Sequence, residues 1–287
     1  MKIAIYGSRR QDAHIHALEA FMRSLSAEGH EVVMHPKLYR YLLAVIPGAL
    51  MCVRRVVESA ADAAADLAVS IGGDGTFLRT AEWLAGAPTP VAGVNTGHLG
   101  YLTAVGIDGI ASLVPAFVAG SLVADERSLI HVASPEMRIW PYALNEVALL
   151  KSETAAMINV AAMLDGNPLA DYRVDGLLVS TPTGSTAYNL SVGGPIVQPS
   201  APVWTIAPIA AHSLSMRPLV VNDTSVLTLT ATGRAPHVRL SIDGRAVTLD
   251  IDTTLTLRRA PFTIRVLHPA DYSFSTTLRE KLHWATD

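Results

Sequence analysis

The sequence predicts an α/β N-terminal domain built on a mostly parallel sheet, followed by an all-β, sandwich-like C-terminal domain. Three observations predict it. Short apolar runs alternate with segments of helical period over roughly the first 125 residues, the pattern of a parallel sheet flanked by helices. From about Asp125 Thr-rich stretches of period-2 alternation replace it. The 287 residues are ample for two substantial cores. The expected boundaries are 1–124 for the α/β domain, 125–270 for the β-rich domain, and 271–287 for a segment that packs back on the first.

Lys2 to Tyr6 is the first expected strand, and Leu18, Phe21, Met22 and Leu25 give the segment from Ala13 to Glu28 one apolar helical face, with Gly29 as its stop. A strand at Glu31 to Met34, a helical stretch through Val53 to Ala65, and a strand at Leu67 to Ile71 continue the alternation. A helix is expected over Phe77 to Ala85. In the second half Val238, Leu240 and Ile242 share one strand face, and Asp243-Gly244 marks a hairpin turn before Ala246 to Ile251. Asp165-Gly166 reads as a second hairpin turn, and Leu255 to Arg258 and Phe262 to Leu267 as further strands.

Composition removes several classes of function. The net charge of −3 offers no general attraction to nucleic acid, and the pairs Arg9-Arg10, Arg54-Arg55 and Arg258-Arg259 are isolated, as on a solvated surface. The apolar run from Tyr41 to Val53 is broken by Pro47-Gly48 and is shorter than the roughly 20 residues a spanning helix needs, so no membrane association is expected. The N-terminus lacks the features of a signal peptide, and a cytoplasmic location is expected. Cys52, a lone cysteine, reads as a small buried hydrophobe.

The loop Gly72-Gly73-Asp74-Gly75-Thr76 lies between an apolar strand and a helix, where open α/β sheets place ligands. Glycines let N–H groups approach phosphate oxygens, and the helix N-terminus adds partial positive charge. Asp74 is the one carboxylate in the turn, suited either to take a proton from an attacking hydroxyl, to help hold a metal ion, or merely to cap the helix. Arg79, one turn on, is placed to neutralise phosphate. Neither GxxxxGK[ST] nor GxGxxG occurs, which sets aside P-loop enzymes and standard dinucleotide-binding Rossmann domains.

Asn145-Glu146 stands at the start of a strand and offers donors and acceptors suited to ribose hydroxyls or an adenine edge, or else forms an exposed turn. Arg173-Val174-Asp175-Gly176 leads through an apolar run into Thr181 to Ser191, a hydroxyl-rich segment with Tyr188. It would fit a polar ligand carrying a flat base, or form local turns and a helix cap. His212, within Ala211 to Pro218, is a candidate phosphate contact and equally a structural histidine.

Four motifs in this order, Gly72 to Thr76, Gly93-Val94-Asn95-Thr96-Gly97-His98-Leu99-Gly100, Asn145-Glu146, and Asp175-Gly176 through Pro195, closely resemble the NAD kinase family in its bacterial, ATP- or polyphosphate-dependent type. The resemblance covers most of Leu67 to Pro218. It implies a nucleotide-binding first domain, a dinucleotide-binding second domain, and transfer of a terminal phosphate from ATP or polyphosphate to the 2′-hydroxyl of the adenosine ribose of NAD, forming NADP. Asp74 would be the base. Gly72, Gly73, Gly75 and Thr76 would form the phosphate loop, and Asp74, Gly75 and Arg79 would touch the dinucleotide. Asn145 and Glu146 would bind it too, with Thr183, Thr186, Ala187, Tyr188, Asn189, Leu190 and Ser191 shaping the adenine and ribose pocket and Tyr101 closing it. Arg173 and Asp175 would also contact NAD, arriving from a neighbouring subunit of a homo-oligomer, dimer or tetramer. Mg²⁺ or a similar divalent ion would accompany ATP. Arg245, where a shorter polar residue such as Gln is expected, and Ala211, where Pro is common, depart from the pattern. Diacylglycerol kinase-like and phosphofructokinase-like enzymes share the Gly-Gly-Asp-Gly loop but not Asn145-Glu146 or Thr181 to Ser191. A catalytically silent dinucleotide sensor is the alternative outside enzymes.

Overall fold

The computed structural model describes residues 1–8, 11–97, 100–152 and 156–282. Arg9-Arg10, His98-Leu99 and the tail beyond Leu282 lie outside the described residues. The chain forms two compact units, Met1–Glu126 with Ile264–Asp287, and Arg127–Thr263.

The first unit begins with β1 (Lys2–Gly7), α1 (Ile15–Ala27), β2 (Glu31–Met34), α2 (Pro36–Val45), β3 (Val53–Val56), β4 (Leu67–Ile71), α3 (Asp74–Leu84), β5 (Val91–Asn95), β6 (Val105–Gly106) and α4 (Ile110–Val118). Its strands are parallel in the order β3-β2-β1-β4-β5. The order reverses direction between β1 and β4, and ligands of open sheets bind outside the carboxyl ends of strands at such a point. Gly72 follows β4 there. The apolar face of α1 forms as its spacing predicts: Leu18, Phe21, Met22 and Leu25 are each buried.

The segment Val53 to Ala65 corrects the sequence reading, because it holds an outer strand and a loop instead of a helix. Val53 and Val56 are β-branched, and the segment pairs beside β2 with Arg54 and Arg55 exposed. Beyond it the loop is tied to α3: Trp83 Nε1 donates to the Val57 carbonyl at 3.0 Å and Ala60 N–H to the Trp83 carbonyl at 2.8 Å. These long-range bonds override the helical propensity of the alanines. The helix lies earlier, at α2, with Pro36 at its start and the His35 ring accepting from the Lys37 N–H.

The second unit contains most of β7 (Leu122–Ala133), then β8 (Tyr142–Ala143), β9 (Glu146–Lys151), β10 (Ile158–Leu164), β11 (Asn167–Val174), β12 (Gly176–Ser180), α5 (Tyr188–Ser191), β13 (Val203–Ile209), β14 (Leu219–Asn222), β15 (Leu227–Thr232), β16 (His237–Ile242), β17 (Arg245–Asp250) and the first part of β18 (Thr254–Pro269). One antiparallel sheet runs β14-β13-β12-β9-β16-β17. Val160, Leu229 and Leu257 from β10, β15 and β18 share a core with Val179, Trp204 and Leu240 from that sheet, which is the packing of a sandwich. β18 is continuous where two strands were expected: it pairs with β15 over Thr254 to Leu257 and with β5 over Val266 to Leu267. The chain closes with α6 (Phe274–Leu282) in the first unit. Among the described residues no helix is long and apolar enough to cross a membrane.

Candidate functional site

In the first unit the site is built around Asp74. It occupies the first turn of α3, three residues before the expected helix start, and Gly73 is the N-cap. The cap reading therefore does not describe its side chain, which reaches away from its own helix. Oδ2 accepts the Tyr101 N–H at 2.8 Å, while Oδ1 accepts the Leu102 N–H and the Thr103 hydroxyl, both at 3.1 Å. Thr103 Oγ1 also accepts from Asn95 Nδ2 at 2.9 Å, and Asn95 Oδ1 accepts the Gly97 N–H at 2.6 Å. The segment from Tyr101 to Thr103 thus holds the Asp74 carboxylate, and Asn95 braces Thr103. The fit is tight: a Cβ on Gly100 would stand 1.9 Å from Asp74 Oδ1. A carboxylate offers about four lone-pair sites. Three are used, so about one remains for a ligand hydroxyl.

Gly73 and Gly75 are exposed, and a Cβ on either would meet no protein atom. Packing does not demand glycine there, whereas close approach of a ligand to the backbone would. Arg79 points elsewhere. It pairs with Glu82 at 3.5 Å and lines a cavity of about 450 Å³ with Tyr6, His35, Lys37 and Trp83. Tyr101, whose N–H meets Asp74, has its ring beneath the Lys281 ammonium at 4.9 Å.

In the second unit Asn145 and Glu146 sit where β9 begins. Asn145 Oδ1 and Glu146 Oε2 are buried and have no hydrogen-bond partner among the described residues. The Glu146 carboxyl is pushed up to about 8, by burial first and by the negative charge of Asp243 second. The hydroxyl-rich segment packs directly against this pair. Thr181 N–H donates to the Asn145 carbonyl at 2.9 Å, the Thr181 hydroxyl donates to the Leu144 carbonyl, and a Cβ on Gly184 would stand 2.2 Å from the Asn145 carbonyl oxygen.

The hydroxyls of that segment divide in two. Thr181 and Ser185 serve the backbone, Ser185 donating to the Pro182 carbonyl at 2.7 Å and accepting from Val197 N–H at 3.0 Å. Asn189 is fully buried, with Nδ2 donating to the Ser185 and Pro195 carbonyls, and so does structural work. Thr183 is buried beside Arg127; Thr186, Ala187 and Leu190 are half-buried, and Tyr188 and Ser191 are exposed. The turn-and-cap account thus holds for the inner residues of the segment, while the outer ones face outward.

Arg173, Asp175 and His212 are not brought to Asn145 and Glu146. Asp175 accepts the Lys151 ammonium at 2.7 Å, and its carbonyl pairs with the Lys151 N–H, at the far end of β9 from Glu146. Five residues of strand separate the two ends by about 17 Å. His212 is exposed and its N–H donates to the Arg173 carbonyl at 2.9 Å, so these three residues form a separate group.

Sequence reasoning missed Asp243. As expected it stands in a hairpin turn, at φ 47° with Gly244 at φ 76°. Its carboxylate turns inward, however, and accepts the N–H groups of Leu144, Asn145 and Glu146 at 2.7, 2.9 and 3.0 Å. Arg245 is buried as well, donating to the Ile242 and Tyr142 carbonyls and lying 5.1 Å over the Trp140 ring. Its length is thereby used in packing.

Comparison with known proteins places these features in a family. Residues 8–122 match the model of the ATP-NAD kinase N-terminal domain, and residues 144–268 that of the ATP-NAD kinase C-terminal domain. An NAD kinase of Porphyromonas gingivalis is 41% identical over 99% of this chain and 98% of its own length. One from Bacteroides fragilis is 35% identical over 100% and 99%. Among solved structures, yeast NADH kinase complexed with NADH superposes with a TM-score of 0.88 at 23% identity, covering 100% of this chain and 89% of that one. An Archaeoglobus fulgidus NAD kinase in complex with ATP gives 0.76 at 26%, covering 99% of each. With both family models matched and such relatives aligned from end to end, this chain belongs to the NAD kinase family of enzymes.

Proposed function

We propose that the chain transfers the γ-phosphate of ATP to the 2′-hydroxyl of the adenosine ribose of NAD, with Asp74 as general base. The Asp74 carboxylate takes the proton of the 2′-hydroxyl, the hydroxyl oxygen bonds to the γ-phosphorus, and the bond to the β–γ bridging oxygen breaks, leaving ADP. The observation that carries this reading is the placing of Asp74, held by three donors beside two exposed glycines at a helix N-terminus. Such chemistry depends on positioning and charge neutralisation. The loop from Gly72 to Thr76 supplies N–H groups for phosphate oxygens. Asn145 and Glu146 bind the dinucleotide, with Thr186, Tyr188 and Ser191 offering the outward-facing groups beside them.

Support for the two substrates comes from the neighbours, one complexed with NADH and one with ATP. No group of three or more His, Cys, Asp or Glu side chains that could hold a metal gathers among the described residues. A divalent ion, Mg²⁺ or similar, accompanies ATP in this reading. Arg173 and Asp175, remote from Glu146 within one chain, serve the dinucleotide of a neighbouring subunit in a homo-oligomer acting in the cytoplasm, and His212 is a phosphate contact. The experiment is an assay with Mg-ATP and NAD, repeated with other nucleoside triphosphates, polyphosphate and NADH. NADP formation with ATP is the expected result; folded protein that yields none overturns the proposal.

A further inference from the structure

Three successive N–H groups, of Leu144, Asn145 and Glu146, converge on one buried carboxylate contributed by a hairpin about a hundred residues later in the chain. The Asp243 side chain is only 3% exposed, and its Oδ2 stands 3.9 Å from the Arg245 guanidinium. The hairpin is fixed in turn: Asp243 N–H donates back to the Glu146 carbonyl at 3.1 Å, and Ile242 pairs with Val147 across the β9–β16 ladder. On the other side of the pair, Thr181 and Gly184 clamp the Leu144 and Asn145 carbonyls. The backbone of residues 144–146 is therefore held on both faces. Within that segment Asn145 Oδ1 and Glu146 Oε2 are buried with no hydrogen-bond partner among the described residues.

We propose that Asp243 is a positioning residue for dinucleotide binding, holding the backbone of residues 144–146 so that Asn145 Oδ1 and Glu146 Oε2 both meet the ligand. This rests on the reading that Asn145 and Glu146 bind NAD. The two neighbouring carboxyls divide their roles. Burial pushes the Asp243 carboxyl up as well, but three N–H groups and Arg245 oppose the rise, so of the two carboxyls Asp243 is the one whose charged form is held. Glu146 takes the proton: burial and the Asp243 charge both raise it, Arg245 screens that charge from the β16–β17 hairpin, and the Tyr188 N–H from α5 opposes the rise. Lys151 and Asp175 lie at the other end of β9. The pair then presents one acceptor, Asn145 Oδ1, and one donor, the Glu146 O–H. That is the complement of a ribose hydroxyl, or of the edge of adenine with its amine beside a ring nitrogen.

The test is the pH dependence of NAD binding and of kcat/KM from about pH 6 to about pH 9 in wild type, Asp243→Asn, Glu146→Gln and Glu146→Ala, with folding followed by circular dichroism. Wild type should lose NAD affinity as pH rises through about 8. Asp243→Asn places an amide NH₂ against an N–H group and removes the charge. It should raise KM for NAD about 10-fold with less effect on kcat, and move the alkaline limb to lower pH. Glu146→Gln, a permanently neutral side chain, should abolish the limb and bind NAD about 10-fold more tightly than Glu146→Ala at neutral pH. A folded Asp243→Asn protein with wild-type KM, or with an unmoved limb, overturns the proposal. If Asp243→Asn does not fold, Glu146→Gln decides, and a limb that persists in it overturns the proposal. Wild type that binds NAD with this pH profile but makes no NADP would instead overturn the kinase reading alone.

Discussion

Asp74 and Asp243 each accept three hydrogen bonds, Asp74 from two N–H groups and a hydroxyl of the segment from Tyr101 to Thr103, Asp243 from three N–H groups of residues 144–146. Both use a carboxylate to hold a loop about 27 or more residues away in the chain. Their settings differ. Asp74 is half-buried, in a glycine-rich turn at a helix start. Asp243 is enclosed in a hairpin, and the second carboxyl beside it, Glu146, keeps one buried oxygen without a partner among the described residues. The same device thus serves two ends: in the first unit the held carboxylate is itself the reactive candidate, and in the second it positions other groups.

Substitutions that strike each device should separate these ends. The largest effect is expected from Asp74→Asn, which should lower kcat about 10²- to 10⁴-fold while changing NAD affinity far less; a variant defective only in KM would place Asp74 with Asp243 as a positioning residue. Gly100→Ala drives a methyl group into Asp74 Oδ1 and should cost about 10²-fold in kcat. Gly184→Ala, aimed at the Asn145 carbonyl, should act chiefly on KM for NAD, by about 10-fold. Steady-state kinetics checks both, and interchanged signatures would break the comparison. Thr181→Val removes the hydroxyl that joins the Leu144 carbonyl to the Gly184 N–H and should cost about 1–3 kcal/mol of stability by urea denaturation.

The smallest effect is a slope of stability with pH. The folded-state value of Glu146, about 8, lies above its ordinary 4.5, so the folded protein holds the extra proton between these values. Its contribution to stability is therefore complete below about pH 4.5 and is lost as pH rises to about 8. Glu146→Gln should flatten that portion of a plot of Tm against pH; an unchanged slope would assign it to other groups.

Local patterns in the sequence are those that local physics decides. The strand-turn-helix around Gly72 to Thr76 and the amphipathic face of α1 were legible because spacing and turn chemistry determine them. The segment Val53 to Ala65 was not, since Trp83 and Ala60 bond across elements and override the alanines. Asp243 read as an ordinary hairpin turn because its dihedral angles are those of one. Nothing near it in sequence reveals that the β9–β16 register turns its carboxylate toward Asn145 and Glu146. The upward shift of the Glu146 carboxyl follows first from its burial and second from that same nonlocal neighbour.

The account rests most directly on where the phosphoryl group goes. Single-turnover reaction of the wild-type chain with γ-labelled ATP and NAD should move the label to the 2′-position of NADP, one ADP appearing for each NADP. Binding of both nucleotides with no labelled NADP, or release of the label to water alone, would contradict it.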